Sequence, residues 1–118
     1  MKKALKNIKD LPGVEHVVIA CNDGLVFDAL GSTSLNAEML AAEVTSMTLA
    51  LRQSLAFLNS KELYRYQFAT EQYEVTAICL DRLVLFATAR PGTQLRTIHI
   101  ELAKAANRLS QMEAQPWT

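Results

Sequence analysis

Glycine and proline are scarce in this chain, 4 and 3 among 118 residues, which excludes collagen-like repeats and Gly/Pro-rich low-complexity sequence. Cysteine is scarcer still, and Cys21 with Cys79 cannot build the disulfide framework that small secreted domains depend on. Net charge is missing too: 12 basic side chains stand against 12 acidic ones. No overall field favours a phosphate backbone, so nucleic acid is not an expected partner. No apolar run approaches the length that crosses a bilayer, about 20 residues, so direct membrane insertion is not expected either. After Met1-Lys2-Lys3, the residues Lys6, Lys9 and Asp10 interrupt the stretch where the apolar part of an export signal would stand. The expected location is cytoplasmic. Half of the residues are apolar, as in a compact globule, and the length suits a single domain over 1–118.

Catalytic and cofactor signatures are absent in the same way. The chain has no Gly-rich phosphate loop, no G-x-G-x-x-G, no H-E-x-x-H and no G-x-S-x-G. His16 and His99 have no cysteine or carboxylate at ligand spacing, so both read as structural histidines and no metal is expected. Cys21 and Cys79, in apolar runs near strand ends, read as small hydrophobes. Asp23 and Asp81 are accounted for by turns. The expectation is a protein without catalytic activity and without a cofactor.

What is present is a clear succession of periods. Ala4, Leu5, Ile8 and Leu11 recur at helical spacing among lysines, and Pro12-Gly13 ends that helix. Two β-branched runs, 14–21 and 25–30, flank Asn22-Asp23-Gly24, a hairpin signal. Then comes one long helix, about 35–59, free of glycine and proline, with Ser34 or Asn36 as its cap. Its stripe Leu40, Val44, Met47, Leu51, Leu55 and Leu58 is the expected core face. The remainder of the cylinder carries Met39, Ala42, Ala50 and Phe57 and few charges, more apolar surface than one small fold can cover. A meander of strands follows, 63–69, 73–80 and 83–89, in which Tyr64, Tyr66 and Phe68 alternate with Arg65 and Gln67. From about residue 93, Leu95, Ile98, Leu102, Ala105, Leu109 and Met112 mark a final helix. The order α-β-β-α-β-β-β-α predicts an α+β three-layer sandwich: a five-stranded, mostly antiparallel sheet with the long helix on one face and the terminal helices on the other.

Several local sequences in this order resemble the Roadblock family, the dynein light-chain roadblock-type domain found also in bacterial and archaeal regulators of small GTPases. They are Leu11-Pro12-Gly13-Val14, Asn22-Asp23-Gly24-Leu25-Val26, Leu40-Ala41-Ala42, and Leu95-Arg96 through Leu102-Ala103-Lys104-Ala105-Ala106. The resemblance covers nearly the whole chain and implies a profilin-like sheet. It further implies a homodimer in which the long helices meet and the third strands join into one sheet. Carried over by position, Met39, Glu43, Ser46, Ala50, Gln53 and Phe57 are the implied helix contacts, and Tyr64, Tyr66 and Phe68 mark the implied pairing strand. The implied partner is a small Ras-like GTPase, scaffolded or modulated in its nucleotide cycle; no GTPase-contacting residue is indicated. A small-molecule sensor domain of the PAS type is the alternative, since it too mixes five antiparallel strands with helices. Such sensors usually bridge the second and third strands with several short helices, where this sequence has one long helical period.

Overall fold

The computed structural model describes residues 2–31 and 36–114, with side chains followed to residue 111. Three helices and five strands are present in the predicted order: α1 Lys2–Lys9, β1 Val14–Cys21, β2 Val26–Gly31, α2 Ala37–Gln53, β3 Arg65–Ala69, β4 Glu74–Cys79, β5 Leu83–Ala89 and α3 Leu95–Ala114. The strands form one antiparallel sheet in the order β2-β1-β5-β4-β3. β1 and β5 are therefore central, and β2 and β3 are the two edges.

Local chemistry sets the corners. At the first hairpin Gly24 takes φ +95, its amide donates to the Cys21 carbonyl at 2.9 Å, and Asp23 Oδ1 accepts from the Leu25 amide at 3.1 Å. An Asx turn followed by a left-handed glycine is what Asp-Gly supplies at low cost. Asn36 caps α2 by accepting from the Glu38 amide at 2.8 Å. The other cap candidate, Ser34, lies outside the described residues, as do Leu35 and the Met112 side chain.

Two layers of core follow from the period-two alternation of the strands. On one face Val17, Ile19, Leu85 and Ala87 pack with Leu5 and Ile8 of α1 and Ile98, Leu102 and Leu109 of α3. On the other, Val18, Ala20, Val84 and Phe86 pack with Ala41 and Val44 of α2. Cys21 packs into the first of these layers and Cys79 belongs to the second by its alternation with Ala77, so the two free thiols lie on opposite sides of the sheet. Of the α1 lysines, Lys2, Lys3 and Lys6 are exposed and Lys9 is half-buried; Lys2 pairs with Asp28 and Lys6 with Asp10.

The long helix departs from its sequence reading in two ways. It is not continuous to Asn59: α2 ends at Gln53, and a 3-10 turn over Leu55–Leu58 follows, closed by Asn59 in the left-handed region at φ 54. Nor is Leu40, Val44, Met47, Leu51, Leu55, Leu58 the core stripe. Leu40, Val44 and Leu55 face the sheet, but Met47 and Leu51 sit at the exposed flank and Leu58 is 73% exposed. The positions they were expected to fill belong to Thr45 and Thr48, both buried. Each threonine hydroxyl donates to the carbonyl four residues back, Ala41 and Val44, at 2.8 Å. With its hydroxyl satisfied inside the helix, threonine presents its methyl group to the sheet at little desolvation cost. Arg52 reaches the sheet end, where its guanidinium donates to the Leu80 carbonyl at 3.3 Å.

Candidate protein-binding surface

The outer side of α2 is uncovered among the described residues, and β3 is one of the two open sheet edges. Met39, Glu43, Ser46, Ala50 and Gln53 follow one another at spacings of four, three, four and three, so they line one side of α2, and Phe57 stands on the 3-10 turn beyond it. All six are exposed, Met39 at 68% and Phe57 at 91%. The stripe is small in its middle, Ser46 and Ala50, and large at its ends. That profile lets a second helix axis approach to about 8 Å at the centre while the end residues clasp it. Met47, Leu49 and Leu51 widen the same apolar surface. The sequence reading missed them because hydrophobicity alone placed Met47 and Leu51 inside.

The β3 edge is built from β4 outward. The Cys79 amide donates to the Tyr64 carbonyl at 2.8 Å, and the Thr70 amide donates to the Tyr73 carbonyl at 2.7 Å. Even-numbered residues of β3 thus exchange hydrogen bonds with β4. Antiparallel alternation turns the amides and carbonyls of Arg65, Gln67 and Ala69 to the open side. An edge that exposes such a row is a template for another strand.

The three aromatic residues assigned to this strand do not behave alike. Tyr64 precedes β3 and is well exposed, whereas Tyr66 and Phe68 are half-buried on the side facing α2. Tyr66 ties β3 to α2: its hydroxyl donates to the Thr48 hydroxyl at 2.9 Å, whose own proton goes to the Val44 carbonyl, and lies 3.3 Å from that carbonyl. Burial pushes the Tyr66 phenol above its ordinary value, with the Thr48 hydrogen bond acting the other way. Burial raises the Cys79 thiol as well, against the opposing charge of Arg52.

A phenol whose pKa is higher folded than unfolded contributes stability that is complete below the unfolded value, about 10, and is lost as pH rises through the folded one. Replacing Tyr66 with phenylalanine should therefore flatten the alkaline fall of the denaturation midpoint. It should also remove about 1 kcal/mol at neutral pH through the lost hydroxyl contacts. Urea melts of both proteins at neutral and alkaline pH read the difference. An unchanged alkaline slope in the variant would show that Cys79 or another group carries it.

The two histidines differ in their surroundings. His16 is buried with its ring Nδ1 at 2.9 Å from Thr88 Oγ1, and His99 is half-buried on α3. No group of three or more metal-ligating side chains occurs among the described residues. Where the alternative sensor reading would place several short helices, α2 and the 3-10 turn fill the interval between β2 and β3.

Element order, strand order and two-sided helix packing can be compared with known structures at this point. A Roadblock/LC7 domain from Streptomyces avermitilis superposes with a TM-score of 0.86 at 13% identity, over 98% of each chain. The chain has the Roadblock/LC7 fold. Myxococcus xanthus MglB gives a TM-score of 0.79 at 14% identity, covering 93% of this chain and 88% of that one. An MglB structure described as having a tetrameric arrangement gives 0.82 at 14% identity, covering 93% and 85%. No protein-family model and no curated protein matches the sequence. In this Roadblock/LC7 fold the α2 stripe is exposed and β3 is an edge strand, and no helix among the described residues is long and apolar enough to cross a membrane.

Proposed function

We propose that this chain is a cytoplasmic, non-catalytic adaptor that forms a homodimer and binds a small Ras-like GTPase, as a scaffold or modulator of its nucleotide cycle. The observation that carries this reading is the coincidence of an uncovered apolar α2 stripe with an unpaired β3 edge in one small domain. A second copy satisfies both, the stripe by helix-to-helix burial and the edge by strand pairing. A two-fold axis at Gln67 sets Tyr66 across from Phe68 of the second copy and keeps Arg65 away from its own copy. An axis at Arg65 would oppose like charges. One similar structure is itself described as a tetrameric arrangement of MglB, which supports self-association in this fold. The GTPase partner rests on the Roadblock resemblance of the sequence. Exposed Leu25 and Phe27 on the first hairpin extend the apolar surface beyond the stripe.

The test is affinity capture with the tagged full chain from its native cell, with GDP or a non-hydrolysable GTP analogue added. Retention of a Ras-like GTPase that depends on the nucleotide is the expected result. Capture without any GTPase in either state would remove the partner while leaving the dimer open to its own test.

A further inference from the structure

The face of the sheet opposite α2 carries a second, differently built surface. α3 crosses this face over β5 and β4 but leaves a furrow between itself and β3. The furrow consists of two adjoining depressions, about 530 and 520 Å³, which share Arg65 and His99 as walls. Its ends are marked by Leu95 and Ser110 of α3, which at the rise of an α-helix are about 22 Å apart.

The walls are strongly biased in charge. Arg65, Arg96 and Lys104 line the furrow and no carboxylate does, in a chain whose charges are otherwise balanced at 12 and 12. Arg65 and Arg96 have no hydrogen-bonded or ion-paired partner among the described residues. Lys104 is ion-paired with Glu101 of the same helix at 3.2 Å, so Arg65 and Arg96 are the unpaired cations of the lining. The floor between the cations is apolar, supplied by Ile78, Leu80, Leu95, Ala103 and Ala106. Free ions or a bare phosphate would use the cations and leave this floor wet. A helix with one leucine-rich side and acidic flanks uses both.

We infer that the furrow between α3 and β3 docks an amphipathic acidic helix of a partner protein. It lies on the other side of the sheet from the α2 stripe and is formed by one chain alone. The domain can therefore hold a second copy on one face and this partner on the other, which is the geometry an adaptor needs. The furrow's β3 wall, Arg65 to Gln67, borders the strand edge proposed for dimer pairing, whereas Arg96 stands on α3 away from that edge.

The probe is a fluorescein-labelled Leu/Glu amphipathic peptide of about 16 residues, long enough to span the furrow, with its Leu/Lys counterpart as control. Anisotropy titration of the full chain is expected to show binding of the Glu peptide only, weakening severalfold as salt rises from about 50 to about 300 mM. The double variant Arg65→Glu, Arg96→Glu should lose at least about tenfold in affinity, the scale of two close charge reversals. The variant Lys3→Glu, a charge reversal at an exposed position of α1 outside both proposed surfaces, should bind like the parent. Equal binding of both peptides, no binding of the Glu peptide, or an unaffected double variant would overturn the inference. So would a change of oligomeric state in Arg96→Glu alone, because the furrow would then belong to a second copy.

Discussion

Ala50→Arg is expected to convert the protein from a dimer to a well-folded monomer at low micromolar concentration. Ala50 is exposed at the narrow middle of the α2 stripe, where a helix partner has to come closest. Arginine is nearly as good a helix former as alanine, so the monomer fold is unaffected. Its length and charge, however, hold a second axis well beyond contact distance. Loss of the contacts of Met39 and Phe57, at about 2 kcal/mol each when fully buried, corresponds to roughly a thousandfold weaker association. Light scattering gives the mass directly. Thermal melts give a second readout, because stability that comes from association grows with protein concentration. The parent midpoint should rise with concentration and that of the variant should not. A variant that still scatters as a dimer would place the interface elsewhere, with the β3 edge as the next surface to test by proline substitution at Gln67.

Phe86→Ala is expected to cost about 3–5 kcal/mol, a large part of the stability of a domain that has about 5–15 in total. Phe86 is fully buried at the centre of β5 and is the largest of the fully buried side chains among the described residues. Its neighbours there include Ala20, Ala41, Ala77, Val18, Val44 and Val84. Such short side chains cannot swing into the vacated space, and the strands that carry them are fixed by ladders on both sides. The cavity therefore stays open, which puts the loss at the upper end of the range. Leu85→Ala on the opposite face is the comparison. Its surroundings, Leu5, Ile8, Ile98 and Leu102, are longer and more adaptable, so it should cost less. Urea denaturation of the three proteins measures both values. A smaller loss for Phe86→Ala than for Leu85→Ala would show that the α2 layer repacks more freely than its composition implies.

The same two layers explain how far the sequence could be read. Strand positions were legible because β-branched runs such as 14–21 and 83–89 alternate or run apolar between strong turn residues, Asn22-Asp23-Gly24 and Asp81-Arg82. The helices were legible because their period differs from that of strands. The outer stripe of α2 was visible as an excess: Met39, Ala50 and Phe57 have no place in a core that one helix face already supplies.

The phase of that helix was harder. Leucine and methionine outrank threonine on any scale of apolarity, so Met47 and Leu51 appeared to belong inside. The fold reverses this because Thr45 and Thr48 satisfy their hydroxyls on carbonyls of the same helix, and Tyr66 adds a partner from β3. These hydrogen bonds exist only once the helix is formed and docked. Where the helix ends was likewise decided by backbone geometry, the 3-10 turn and left-handed Asn59, for which no proline or glycine gave warning.

By itself the sequence determined the class of fold, the order of elements, and the existence of apolar surface in search of cover, since all three are written in periods and composition. Which strands become the sheet edges, and how Arg65, Arg96 and Lys104 come to line one furrow, were decided only by the tertiary structure. The reason is the strand order β2-β1-β5-β4-β3. It pairs the first strand with the last and leaves β3 outermost. It also lays α3 beside a strand about 30 residues earlier in the chain, a proximity that no local spacing encodes.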